Sequence, residues 1–159
     1  MESERERLQE HVAELAEDAN DNVRTAAVSG LVEIEQHRAD AVYIRQLSRA
    51  DYQLVMTAAR ALTGSPEPAR AVRALTEALT RLTRERRDTS RDPRLAIIER
   101  LNRSRIAVSL LTKGRLPDAL ADRRRFPCDN TCGISLVSVD EAFRREWEPG
   151  AAPAAERIA

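Results

Sequence analysis

A five-residue pattern recurs in this chain, because Val23-Arg24-Thr25-Ala26-Ala27 is followed 32 residues later by Val55-Met56-Thr57-Ala58-Ala59. Each copy starts just after a residue that caps helices well and continues with apolar residues at helical spacing. An amphipathic helix that repeats in this way buries its apolar stripe against neighbouring helices. The recurrence therefore restricts the chain to folds made by stacking helices.

Apolar residues at steps of three and four predict six helices before residue 103. The six stripes run from Leu8 to Ala16, Val23 to Ile34, Val42 to Leu47, Leu54 to Leu62, Val72 to Leu82 and Leu95 to Leu101. Gly64 follows the fourth stripe, where a glycine can adopt the left-handed conformation that closes a helix. Gly30 lies inside the second stripe, and a tight helix crossing there is one explanation for it.

Polar residues before the second helix of each pair (Asp21, Asp51 and Asp92), the Val23-Arg24 step and the alanine pairs resemble the HEAT-repeat family over residues 4–103. This resemblance implies an all-α fold: a right-handed α-solenoid of about three antiparallel helix pairs. In that family an aspartate and an arginine often form a ladder between units. Met56 and Leu95 fall where Arg24 would be repeated, so only the first unit carries both residues in the usual order.

The sequence changes character after this repeat region, and we predict three parts. They are a HEAT-like helical domain over 1–103, a less regular extension over 104–148 and a flexible tail over 149–159. Within the extension, the residues from Ile106 to Leu111 suggest a seventh helix, and 134–139 alternate like a strand for which the sequence offers no partner. Asp140 is placed to cap a short helix that reaches Trp147.

The charges balance, with 26 basic and 26 acidic residues, so no overall field attracts nucleic acid or an anionic membrane. They are unevenly distributed, because residues 1–64 carry seven basic and twelve acidic groups and residues 65–103 carry ten basic and six acidic groups. No apolar run approaches the roughly 18 residues that span a bilayer, and the charged N-terminus is unlike a signal peptide. We expect a cytoplasmic protein without a membrane partner.

Few residues suggest a catalytic, redox or metal-binding role. Cys128 and Cys132 could form a redox pair, but zinc would need two further ligands, and we expect two incidental thiols. His11 and His37 have no neighbouring serine or cysteine motif, and Glu14, Glu17 and Asp18 read as a solvated acidic face. We therefore expect no catalytic residue, no cofactor and no metal ion.

Arginine supplies 25 of the 26 basic residues, which leaves nucleic-acid binding as an alternative function. The guanidinium groups cluster at Arg84, Arg86, Arg87, Arg91 and Arg94, and again at Arg123 to Arg125. Arginine forks grip phosphate, but acidic residues interleave with the first cluster and would neutralise it locally. We expect nucleic acid to be a less favoured partner than protein.

The function we predict is non-catalytic protein–protein interaction, with a protein or peptide bound on the concave surface of a short solenoid. The residues expected to bind the partner lie off the buried stripe of each second helix: Arg24, Val28, Gln53, Met56, Arg60, Arg94 and Glu99. A regulatory or accessory domain of a larger enzyme is a second alternative, because HEAT-like repeats often occur fused to catalytic modules.

Overall fold

The computed structural model describes residues 2–85 and 90–158. It is mainly helical, with a small two-stranded sheet, in agreement with the predicted all-α class at that coarse level. The chain forms two compact units, one up to Ser104 and one from Arg105 onward. Residues 86–89, which include two arginines of the first predicted cluster, lie outside the described residues.

Six α-helices form the first unit in the order that the apolar stripes predict. They are α1 (Glu2–Leu15), α2 (Asp21–Ile34), α3 (Asp40–Gln46), α4 (Tyr52–Ala61), α5 (Pro68–Glu85) and α6 (Arg91–Arg103). Helix α1 packs on α2, α3 on α4, and α5 on α6, while α2 contacts α4 and α4 contacts α6. The second helix of each pair therefore lies beside the second helix of the next pair.

Local hydrogen bonds explain where α4 begins and ends. Asp51 accepts a bond from the backbone N–H of Leu54 at 2.9 Å, which confirms it as the N-cap. Gly64 has a φ of +81°, as predicted for a glycine just after a helix. The predictions for the two other second helices are wrong, because Asp21 and Asp92 lie within the first turns of α2 and α6, after Asn20 and Ser90.

Helix α4 is the centre of the core, with Leu54, Val55, Ala58 and Ala59 fully buried. The small alanine side chains let α2 and α6 pack on its two sides. Gly30 of α2 does not mark a tight crossing, because a Cβ built there would meet its nearest neighbour, on Val12, at an ordinary 3.9 Å. The helix-crossing explanation for Gly30 is therefore wrong.

A carboxylate joins the first helix pair to the second. Glu17 accepts hydrogen bonds from Arg45 Nε and Gln46 Nε2, each at 3.1 Å, and pairs with Arg49. Burial alone would raise the pKa of Glu17, but the bond from Arg45 and the charge of Arg49 together hold that pKa below its ordinary value of 4.5. Glu17 thus connects the first helix pair to the second and is not part of a merely solvated acidic face.

Arginine side chains donate hydrogen bonds to carbonyl groups at the ends of two helices. Arg81 donates through Nη2 to the carbonyl oxygens of Leu47 and Arg49, at 3.0 and 3.1 Å, just after α3. The buried Arg100 donates through Nε to the carbonyl oxygen of Leu62 at 2.8 Å, at the end of α4. The last carbonyls of a helix lack intrahelical partners, and an arginine fork satisfies them well. Part of the arginine content is therefore structural.

The second unit contains two short strands, β1 (Ser109–Thr112) and β2 (Thr131–Ile134), which pair in parallel with Ser109 opposite Thr131. The predicted seventh helix is wrong, because its apolar stretch forms β1. The side-chain oxygen of Asn130 accepts from the N–H of Val108, which holds the entry of the two strands together. The prediction of a strand over 134–139 is wrong except at Ile134, because the strand ends there and residues 135–139 form none; β2 also has a partner strand that the sequence did not indicate.

Two helices complete the second unit, α7 (Glu141–Trp147) and α8 (Ala154–Ile158). Asp140 accepts from the N–H of Ala142 at 2.8 Å, which confirms the predicted cap of α7. Helix α8 lies within the segment expected to be a flexible tail over 149–159. The difference arises because Arg157 is buried and donates a hydrogen bond to the carbonyl oxygen of Ser135.

Candidate interaction face

The N-caps define the register in which the three second helices correspond. Asn20, Asp51 and Ser90 precede α2, α4 and α6, and they are 31 and 39 residues apart. Positions seven, eight and eleven after each cap are buried in all three helices: Ala27, Ala58 and Ile97; Val28, Ala59 and Ile98; Leu31, Leu62 and Leu101. The structural repeat therefore differs by one residue from the 32-residue recurrence of the sequence.

The opposite side of each second helix carries positions two, five and nine after the cap, which share a helix face because they are three and four residues apart. We call this set the interaction face: Asn22, Thr25 and Ser29 on α2, Gln53, Met56 and Arg60 on α4, and Asp92, Leu95 and Glu99 on α6. On α2 and α4 all six side chains are exposed or half-buried, whereas Leu95 is buried. The accessible part lies chiefly on two adjacent helices.

Four of the seven predicted binding residues lie on this face. Gln53 and Arg60 are exposed, and Met56 lies half-buried between them on α4. Glu99 occupies the position on α6 that Arg60 occupies on α4, and it is half-buried and paired with Arg103 at 2.9 Å. The structure therefore brings Gln53, Met56 and Arg60 together on one helix.

The other three predicted residues point toward the packed side. Val28 is fully buried, so its assignment to a binding surface is wrong. Arg24 is occupied by the carbonyl oxygen of Asp18 and by Asp21. Arg94 stands at the same distance from its cap as Arg24 and donates to the carbonyl oxygen of Ser90 at 3.1 Å. The guanidinium groups of these two arginines are therefore bonded to groups near the start of their own helix.

Sequence reasoning missed Asn22, Thr25, Ser29 and Asp92. The cause is the one-residue shift, which aligned Arg24 with Met56 when Thr25 is the true counterpart of Met56. Counting from the capping residues instead of from the alanine pairs would have found the correct register. The signal was present, since Asn20 and Asp51 are both good N-caps.

The guanidinium of Arg60 is the charged group of this face that makes no hydrogen bond or ion pair with the described residues. Asp92 lies 3.8 Å from Arg91, and Glu99 is held by Arg103. The amide side chains of Asn22 and Gln53 likewise have no partner within the described parts of the chain. The face thus offers one guanidinium fork, a half-buried thioether and two amides, which suits a carboxylate and the backbone groups of a protein partner.

The side chains considered for chemistry are scattered. Cys128 is half-buried and Cys132 is exposed on β2. His11 is 3.7 Å from Glu14, while His37 is 3.2 Å from the buried carboxylate of Asp40. Across residues 2–85 and 90–158, no three side chains of the metal-binding types come together, and no helix is long and apolar enough to cross a membrane.

The arginine clusters are described only in part, and the second has acidic and aromatic neighbours. Arg86 and Arg87 lie outside the described residues. Arg123 pairs with Asp129 at 3.1 Å, and the guanidinium of Arg125 lies 5.3 Å from the ring centre of Phe126. In the second cluster, acidic and aromatic neighbours therefore occupy two of the three arginines.

Comparison with known proteins finds no match, whether to a family model, to a curated protein or to a solved structure.

Proposed function

We propose that this protein is a non-catalytic binding scaffold of the α-solenoid, HEAT-like type, and that it takes a protein partner on the interaction face of α2 and α4. The side-by-side packing of α2, α4 and α6 supports the solenoid arrangement, because each second helix then contributes one strip to a continuous surface. A partner bound there would contact Asn22, Gln53 and Arg60, whose side chains have no partner in the described parts of the chain.

The observation that carries the proposal is the guanidinium of Arg60, for which residues 2–85 and 90–158 supply no partner, beside the half-buried Met56. An arginine fork binds a carboxylate with two parallel hydrogen bonds, and a flexible thioether adapts to an apolar contact. The partner therefore presents a carboxylate next to an apolar side chain. Where the polar neighbours exclude water, such a centre can supply a large part of the binding energy.

A photo-crosslinking residue at Gln53 tests this assignment in living cells. We expect a discrete crosslinked product from Gln53 and none from the same crosslinker at Thr76, which is exposed on α5. Arg60→Glu should remove the product by placing two carboxylates together. The matched reversal Arg84→Glu, at an exposed position on α5, should leave it unchanged.

Equal crosslinking from Gln53 and Thr76, or a product that survives Arg60→Glu, would contradict the proposed site. Once the crosslinked partner is purified, its association rate should fall with added salt for the wild type and much less for Arg60→Glu. Arg94→Glu is unsuitable for this test, because the Arg94 side chain donates to the carbonyl oxygen of Ser90 at the start of α6.

A further inference from the structure

The C-terminal segment 149–158, called the tail below, is bound to the ends of both strands of the second unit. Ala152 donates its backbone N–H to the carbonyl oxygen of Lys113 at 3.3 Å, and Arg157 Nη1 donates to the carbonyl oxygen of Ser135 at 2.8 Å. Lys113 follows β1 and Ser135 follows β2, so the two acceptors lie at the same edge of this parallel pair. The tail therefore occupies the carboxyl end of the sheet.

Helix α7 supplies the other wall of this site. Glu141 accepts from the N–H of Ala154 at 3.1 Å, and Arg144 donates to the carbonyl oxygen of Ala151 at 2.8 Å. Glu148 lies 3.6 Å from Nη2 of Arg157 and also pairs with Lys113 at 2.6 Å. Positions 141 and 144 share one side of α7, and Glu148 directly follows its last residue. Most of their contacts to the tail are made to backbone groups.

Three tail residues point into the site: Ala151, Ala154 and Arg157, which are 7%, 6% and 2% exposed. They are spaced three residues apart, and the residues between them are more exposed. The first two positions are buried alanines, while the third holds a guanidinium against a carbonyl oxygen and a carboxylate. The tail residues that enter the site therefore follow the pattern Ala-x-x-Ala-x-x-Arg.

The tail is a weak occupant of its own site. Helix α8 has five residues, fewer than a helix needs to be stable alone, and exposed Pro149 and Gly150 precede it. Arg157 is buried, yet its Nε and Nη2 atoms make no hydrogen bond in the described structure. A buried donor without an acceptor is unfavourable. Segments held in this way open at low free energy.

We propose that this edge of the second unit is a peptide-binding site for protein segments of the pattern Ala-x-x-Ala-x-x-Arg, and that the tail occupies it until a partner's segment displaces it. A partner's segment whose own arginine makes hydrogen bonds through both Nε and Nη2 binds more tightly than the tail, in which these two atoms make none in the described structure. A second copy is a poorer source, because its identical tail competes with one that the same chain holds at high effective concentration. This site is separate from the interaction face, and neither proposal depends on the other.

A fluorescent peptide of residues 149–159, titrated into the full-length protein, tests the proposal by fluorescence anisotropy. We expect weak saturable binding, and Arg157→Gln in the peptide should weaken it about tenfold or more, because a buried charge-assisted bond is lost. The same substitution in the protein's own tail should have the opposite effect and strengthen peptide binding, because it weakens the competitor.

On a chain that already carries Arg157→Gln, whose own tail competes weakly, Glu148→Gln should weaken peptide binding, and Glu146→Gln on α7, where the side chain is exposed, is its matched control. If Arg157→Gln disturbs the folding of the second unit, the peptide variants on the wild-type protein still decide the question. The proposal is overturned by no saturable binding to either chain, or by equal binding of the two peptides. Concentration-dependent dimers that the peptide dissolves would also overturn it, in favour of tail exchange between copies.

Discussion

Arg100→Met should destabilise the first unit far more than any surface charge change nearby. The substitution keeps an unbranched apolar stem but removes the guanidinium that donates to the carbonyl oxygen of Leu62 and to the hydroxyl of Ser104. Arg100 is 5% exposed, so water cannot replace these bonds. Hydrogen bonds to a charged group contribute about 1.5–3 kcal/mol, and we expect a loss of about 2–3 kcal/mol in the free energy of unfolding.

Urea unfolding followed by far-UV circular dichroism measures this change. With a urea dependence of about 2 kcal/mol per molar, the midpoint should fall by about 1 M or slightly more. Arg103→Met is the matched control on the same helix, because its exposed pair with Glu99 contributes at most about 0.5 kcal/mol. Arg100→Lys should fall between the two, since an ammonium group cannot reproduce the fork. The reasoning is refuted if Arg100→Met and Arg103→Met shift the midpoint equally.

Three further expectations concern single positions in the same unit. Gly30→Ala should raise the free energy of unfolding by about 0.5–1 kcal/mol, because alanine favours the helix and its Cβ meets Val12 at an ordinary distance; a lower urea midpoint would contradict this. Gly64→Ala should lower it by about 1–2 kcal/mol, because φ is +81° and the new Cβ would lie 3.3 Å from His37 Nε2. The lowered pKa of Glu17 means that its contribution is complete above pH 4.5 and is lost as the pH falls through the lower folded value, so the stability difference between wild type and Glu17→Gln should be smaller at pH 3 than at pH 7.

The six helices of the first unit could be predicted because their signals are local. Apolar spacing and the glycine at position 64 act within one or two turns, and the sequence shows both directly. The predicted alignment of α2 with α4 was wrong by one residue, and the reason for this is local too. Ala58 and Ala59 resemble Ala26 and Ala27, but in the structure they correspond to Ala27 and Val28, and a one-residue shift on a helix turns a side chain by about 100°.

The candidate sites were harder to predict, because charge was taken as a sign of exposure. Arg24 and Arg94 were expected at the surface, yet each bonds a carbonyl near the start of its helix. The strand pair depends on segments that are 22 residues apart and four residues long, which no periodicity reveals. The alanines and prolines of the tail are typical of flexible ends, and only its hydrogen bonds to distant residues, such as that of Arg157 to Ser135, distinguish it from one.

The arginines that close helix ends have a consequence for the order in which the chain is made. Arg81 reaches a carbonyl 34 residues before it, and Arg100 reaches one 38 residues before it. Both acceptors lie at the ends of α3 and α4, so on the ribosome this helix pair is made before either arginine has been translated. A chain that ends before residue 81 should therefore hold the turn after α3 less firmly than the full-length protein does. The second helix pair is completed only by residues of the pair that follows it.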